Sequence, residues 1–544
     1  MNIRDGLVFG VVTIVVLSMF GGFVGVAAGQ SDVTEIDDCM VLTEPGRYVL
    51  TSDVRNSEGL AYDDYSACLV VNTDGTVVID GDGHVVDGQG GDADADEDDH
   101  RTAGLEAGGY FGNLTVTDVT FSDWDTGISS EGGAENLTLE HVTLTDNTVG
   151  MFGYGGIFVI RDSTFRDNGV ALYTEFATTT VESSLVEGNG GGLVVNEGQG
   201  VIVGNDVQNN ERVGISFAVG GGSVVRNNDV TDNGVGIQIW SHNAAVVEDN
   251  RVTNNDRHGI LVLGADDFGD SDGNVIRDNE VVGNGVNGIY LVDFTVENVV
   301  EHNVVRDNGN DGIGVQGFNE NGEYGPAERN VVRSNLVENN RDDGISLGEG
   351  AIDTDVVENE ISDNGGDGVF VRGAEGTTLD GNEIVGNGVN GVNAVRTSDL
   401  TVVDNVVDAN RNDGIGLTNT DGATVESNNV SDNGDDGIGV GESDGNEFAD
   451  NDVTGNGDDG FFVRGSDENT LEGNVVRDNG DDGIYLLRAD SNDIVDNEVV
   501  SNDDESIELD NSDDNLVENN DVSNNGGREI LVRNGSSGNV VRNN

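Results

Sequence analysis

A single interval of 23 residues limits what this chain can fold into more tightly than any feature of its composition. From Leu379 to Asn544, the residues Val392, Ile415, Ile438, Phe461, Ile484, Ile507 and Ile530 each stand 23 positions after the last. Two more apolar columns keep the step. Ile384, Val407, Val430, Val453, Val476, Val499 and Val522 lie eight positions before these marks, and Leu379, Val402, Val425, Phe448, Leu471, Ile494 and Val517 lie thirteen before. Each mark is followed two residues later by another apolar residue, as in Ile438/Val440, the alternation of a strand with one buried face. A unit this short, with three such strands, cannot close a core alone. Stacked in register it can, so the expected architecture is an all-β solenoid whose like side chains line up along a rod.

Two asparagine columns fall between the strands: Asn387, Asn410, Asn433, Asn456, Asn479, Asn502 and Asn525, and Asn382, Asn405, Asn428, Asn451, Asn474, Asn497 and Asn520. Asparagine tolerates the left-handed backbone of a tight corner, and stacked amides hydrogen-bond from coil to coil. Segments such as NVVRDNGDDGIYLL (474–487) and NNVSDNGDDGIGV (428–440) resemble the right-handed parallel β-helix repeats of the pectate-lyase-like superfamily. The resemblance implies the handedness; the periodicity by itself implies a three-strand coil. Looser marks run from Leu105 to Val369 at steps of 21 to 24, with longer steps from Ile260 to Ile289 and from Ile313 to Ile345. With one coil at Val77, the expectation is a single-stranded right-handed parallel β-helix of about twenty coils, on the order of 95 Å long at ~4.8 Å per strand.

The chain has 104 acidic residues against 24 Lys and Arg, all of them Arg, for a net charge of −80. A phased apolar register excludes disorder as the reason for so much charge. An acidic coat of this kind suits high salt, where charges are screened within ~3 Å at 1 M. It excludes nucleic acid and anionic membrane surfaces as partners.

Residues 1–30, with Arg4 followed by an apolar run from Leu7 to Ala28, read as a signal peptide or N-terminal membrane anchor, which places the rest outside the cell or on its surface. Cys39 and Cys68, the only cysteines, are expected to form a disulfide in an N-terminal cap over 31–76, ahead of the β-helix at 77–544. With CLVVNTDGTVVIDGDGHVVDG (68–88), this opening resembles exported β-helix proteins of the NosD-like group, often described as carbohydrate-binding and sugar-hydrolysis domains. The group's name carries a copper-site maturation role. Copper favours clusters of Cys, Met and His, whereas here six His are scattered and only Met40 and Met151 follow the leader, so what the resemblance implies is architecture.

Both long steps place their extra residues after the marked strand, in 264–274 and 317–330, so both loops should leave one edge of the rod. Along that edge lie Trp240, Phe268, Phe294, Phe318 and Tyr324, with Arg277, His302 and Arg329 nearby in sequence. Flat rings beside charged and polar groups suit a sugar chain, which stacks on ring faces and hydrogen-bonds through its hydroxyls. These eight residues are the expected glycan-binding set.

An acidic column two positions before the marks, represented by Asp413, Asp436, Asp459 and Asp482, stacks like charges ~4.8 Å apart. Screening salt or loosely bound cations such as Ca2+ are expected to relieve it. Neither Pro45 nor Pro326 is followed by the His of epimerases and lyases of this fold, and the polygalacturonase pattern needs a Lys that the chain lacks; GDGHVVDG (81–88) is only loosely similar to its glycine-histidine element. Acidic pairs are so common that a match to calcium-dependent lyases or to hydrolases distinguishes nothing, and catalytic residues stay unassigned. The function expected is binding of an extracellular or cell-envelope polysaccharide, with its processing left open. The competing readings are a structural or adhesive rod associating end to end, a polysaccharide lyase or hydrolase, and a copper-maturation accessory.

Overall fold

A computed structural model describes residues 33–62, 65–90, 102–108, 112–131, 136–317 and 325–544. The expected leader (1–30), Phe318 and Tyr324 lie outside these residues.

Each repeat crosses three sheets in turn. In one coil the strands are Thr401–Val403 in the first sheet, Val406–Asp408 in the second and Ile415–Thr418 in the third. The next coil lies directly upon it in parallel register, Val402 on Val425, Val407 on Val430 and Ile415 on Ile438. The looser marks stack in the same way from Leu105 through Ile128, Met151 and Leu172 to Val369. Among the described residues the second sheet holds nineteen strands, close to the twenty coils expected. Inward residues of the three sheets, such as Val402, Val407 and Ile415, are fully buried and form one continuous core.

The first coils depart from the sequence reading. Val77–Asp80 belongs to the first sheet, between Gly46–Leu50 and Asn113–Thr117, whereas the third-sheet residue beneath Leu105 is Leu69. Residues within 31–76, set apart in the sequence as a cap, therefore carry parallel strands that continue the first and third sheets. Leu60–Tyr62 pairs antiparallel with Tyr65–Val71, against the parallel pairing of the coils. The Cys39–Cys68 disulfide forms, with the Cys39 Sγ 3.0 Å from Ser57 Oγ. Closing a loop with a sequence separation of 29 stabilises these coils by about 3.5 kcal/mol in the chain-entropy account. The variant with both cysteines changed to Ser is expected to lose hydrogen-exchange protection in residues 33–71 first, with the distal coils unchanged, because solenoid coils interact only with their neighbours.

The corners also differ from expectation in one respect. The left-handed backbone sits one residue ahead of each ladder asparagine, at Asp404 (φ 55°) before Asn405 and at Ala409 (φ 54°) before Asn410. That turn sends the amide into the corner. There Asn410 Nδ2 donates to Asn433 Oδ1 (3.0 Å) and to the Ile384 carbonyl (3.1 Å), while the Asn410 backbone N–H donates to the same Oδ1 (3.0 Å). One such ladder runs unbroken from Asn147 to Asn525 and the other from Asn205 to Asn544. At Gly414, just before the mark, the second corner leaves no room for a side chain: a Cβ there would overlap Val430 Cγ1 and stand 2.7 Å from Gly437 O.

Candidate functional site

The three outer faces carry different chemistry. The first and second sheets present Thr, Val, Glu and Arg, with arginines paired to acidic residues on adjacent coils: Arg277–Glu248 and Arg333–Glu301 on the first, Arg166–Glu187 and Arg306–Glu280 on the second. Among the described residues, no Phe, Tyr or Trp stands outward on either sheet. The outward aromatics are on the third sheet instead: Phe152, Tyr154, Tyr173, Trp240, Tyr290, Phe370, Phe462 and Tyr485. Arginines without an ion pair, such as Arg257, Arg372, Arg464 and Arg488, border the same sheet.

A groove of about 640 Å³ opens on this face where the two long loops leave it. Strand alternation sets its floor, since Leu261, Leu263, Tyr290 and Val292 are the outward residues of Ile260–Leu263 and Ile289–Val292. One wall is the corner before the sheet, with Arg257, His258, Asn287, Asn310 and Asp311; the other includes Trp240, Gly264 and Gln316. The His258 ring stacks on Tyr290 (centroids 5.0 Å), and Tyr290 OH donates to Gln316 Oε1 (2.9 Å). Gly314 leaves room for this ring, since a Cβ there would stand 2.8 Å from Tyr290 Cδ2. Asn310 Nδ2 donates to Asn287 Oδ1 (2.9 Å). Burial lowers the His258 pKa to about 4, with Arg257 adding to the effect, so the ring is neutral at pH 7 and its buried Nδ1 has no partner. Burial raises Asp311 to about 7, with Asp342 adding repulsion. The groove thus joins aromatic faces to hydrogen-bonding groups that water reaches poorly.

Of the expected glycan set, Trp240 lines the groove, and Phe268, 55% exposed on its loop, meets the Trp240 ring edge to face at 5.3 Å. Phe294 is wedged in the corner behind, where a Cβ on Gly264 or Gly325 would collide with it. Arg277 points from the first sheet and pairs with Glu248, and His302 occupies the exposed corner between the first and second sheets at φ 55°. Arg329 pairs with Glu297 and Glu328 beyond the third sheet. The sequence selection followed proximity along the chain, while the face is selected by position within the coil. Tyr290 and the more distant rings were legible as the residues immediately after the marks: Phe152, Tyr173, Tyr290, Phe370, Phe462 and Tyr485.

The acidic column borders the same sheet but is not a solvated row. Asp436 is 7% exposed, Asp459 4% and Asp482 5%, because each carboxylate turns inward to accept the backbone N–H of the next coil: Asp459 N–H to Asp436 Oδ1 (3.1 Å) and Asp482 N–H to Asp459 Oδ1 (2.9 Å). Burial first, and the neighbouring carboxylates second, raise Asp436 to about 8 and Asp459 to about 9; burial raises Asp413 to about 6 and Asp482 to about 7. Oxygens of Asp435, Asp436 and Asp458, and of Asp458, Asp459 and Asp481, lie within 4.8 Å of one another, a donor set suited to a hard cation. The groups of this kind among the described residues are all carboxylate, Cys39 and Cys68 are bonded to each other, and Met151 is buried in the core, which offers no soft copper cluster. In GDGHVVDG, His84 bonds Asp53 (3.1 Å) in the first coils, away from the groove. A hollow of about 400 Å³ near it, lined by Asp80, Asp118 and His141, has no aromatic wall.

The profile of the family described as "Right handed beta helix region" matches residues 62–206, 104–250, 168–323, 317–422 and 413–544. No curated protein sequence matches the chain. Similar solved structures include the periplasmic alginate epimerase AlgG, 17% identical over 52% of this chain and 73% of that one at a TM-score of 0.40. Others are the Azotobacter vinelandii mannuronan C-5 epimerase AlgE4 A-module, at 13% identity, 79% and 91% coverage and TM-score 0.28, and a GH87 α-1,3-glucanase catalytic unit from Streptomyces thermodiastaticus, at 14%, 71% and 63%, and 0.28. At these identities and scores they bear on neither ligand nor mechanism.

Proposed function

The chain belongs to the right-handed β-helix family, and we propose that it is an exported protein that binds an extracellular or cell-envelope polysaccharide in the groove of the third sheet. The observation that carries this reading is the segregation of outward aromatics onto that one sheet. The solvent-facing sides of all three sheets would gain equally from ring packing, so stability alone gives no reason for the bias. Trp240 and Tyr290 offer ring faces, and Arg257, His258, Asn287, Asn310 and Asp311 offer donors and acceptors in a part-dehydrated cleft. The Cys39–Cys68 bond supports an oxidising compartment outside the cytoplasm. The reading assigns binding; no residue is given a catalytic role.

Affinity electrophoresis against alginate, pectate, α-1,3-glucan and xylan, run in high salt, tests it. Trp240→Ala and Tyr290→Ala are each expected to weaken retention by the bound polymer roughly tenfold, with the melting temperature little changed. Retention equal to wild type in both variants would overturn the reading and favour a purely structural rod.

A further inference from the structure

Far from the groove, the same face carries a second pair of rings whose setting suits a ligand. Phe462 and Tyr485 are outward residues of adjacent strands, Phe461–Arg464 and Ile484–Leu487, half-buried with ring centroids 5.4 Å apart and planes inclined at 34°. Arg464, two residues beyond Phe462 on the same face, is exposed and has no ion pair, unlike most arginines of the first two sheets. Glu508 and Asp510 on the next strand are held by Arg533, leaving the rings bordered by fixed polar groups.

The path from the groove to this pair is smooth. Between Tyr290 and Phe462 the column carries Gly314, Ser346, Phe370, Asn393, Gly416 and Gly439. These are small residues interrupted by one further ring. At Gly439 a Cβ would stand 3.1 Å from Asp413 Oδ2, so a side chain there would cover the carboxyl that borders the path. Seven strand steps at ~4.8 Å separate Tyr290 from Phe462, roughly 34 Å.

We infer that the ligand is an extended linear polysaccharide lying parallel to the rod, held at a second sugar-binding platform, Phe462 and Tyr485, as well as in the groove. This rests on the reading of the groove and deepens it, because a chain long enough to span both platforms gains from their linkage whereas a short oligosaccharide does not. Ring pairs on one sheet, with unpaired arginine beside them and a small-residue path between, fit a polymer that stacks at intervals.

The test compares polymer and hexasaccharide of whichever polysaccharide in the panel above is retained. Phe462→Ala/Tyr485→Ala is expected to weaken polymer affinity tenfold or more and to leave hexasaccharide affinity within about twofold, since the groove is untouched. Trp240→Ala/Tyr290→Ala is expected to weaken both. The Phe462→Leu/Tyr485→Leu pair keeps apolar packing without the rings, and must weaken the polymer as the alanine pair does. Unchanged polymer affinity in the distal pair overturns the second platform while leaving the groove intact. Unchanged affinity in the groove pair overturns the groove instead, and a wild-type protein that retains no polymer overturns both.

Discussion

Raising the pH from about 5 to 9 in low salt is expected to destabilise this protein, and Asp436→Asn with Asp459→Asn to abolish most of that loss. Both carboxyls titrate above their ordinary value when folded, to about 8 and about 9, because the coil buries them and stacks them on one another. The unfolded chain releases these protons near pH 4, the folded one only as the pH passes the raised values. Between those limits the folded state holds more protons, so stability is greatest near the acid end and falls as the pH rises. Asp413, at about 6, and Asp482, at about 7, lose their share earlier in the same window. With one pKa unit equivalent to ~1.4 kcal/mol, the two substitutions should recover on the order of several kcal/mol at pH 8 to 9. Asparagine already occupies this row at Asn390, where the backbone N–H of Asp413 donates to its Oδ1 at 3.2 Å, so the replacement fits the site. Thermal unfolding of wild type and double variant across pH reads the effect, and parallel curves would refute it. Millimolar calcium provides a second reading: a melting temperature raised at pH 8 and not at pH 5 would mean that cations relieve the row once its protons leave.

Asn433→Ala is expected to be the most damaging single corner substitution, costing roughly 3–5 kcal/mol. Its Oδ1 accepts both the backbone and side-chain N–H of Asn410, and its Nδ2 donates to Asn456 Oδ1 (2.9 Å) and to the Val407 carbonyl (3.1 Å). Alanine would take the shared acceptor from two N–H groups of Asn410 and one of the bonds at the Val407 carbonyl, in a corner where Asn410 and Asn433 are each 2% exposed. Each group left unsatisfied costs about 1–3 kcal/mol, partly offset where water enters. Asn412→Ala, at an exposed position of the preceding coil, should stay within about 0.5 kcal/mol. Because coils contact only their neighbours, hydrogen exchange should accelerate around residues 400–460 while the coils near Met151 keep their protection. A uniform change along the rod would contradict this nearest-neighbour picture.

The architecture was legible in the sequence because a stacked coil repeats its chemistry at the spacing of its chain. Val402, Val407 and Ile415 mark three inward faces whose period survives translation along the rod, and interruptions such as Ile260 to Ile289 locate the loops that border the groove. The asparagine columns were legible as corners for the same reason. Which residue of the corner takes the left-handed turn was not, since Asp404 and Ala409 share no side-chain chemistry and are alike only in preceding a buried amide.

The candidate site was legible in part. Trp240 and Phe268 were found through their proximity to the loops, but Arg277 and His302 are as near in sequence and project from other faces. The order of residues alone determined that this chain is a three-sided rod with ladders along its edges, because side chains stacked in register must repeat. Only the tertiary structure decided which residues near the long loops project into the groove and that the acidic column is buried. Both depend on the direction in which a side chain leaves the coil, and a turn of one residue at a corner exchanges solvent for the backbone of the next coil.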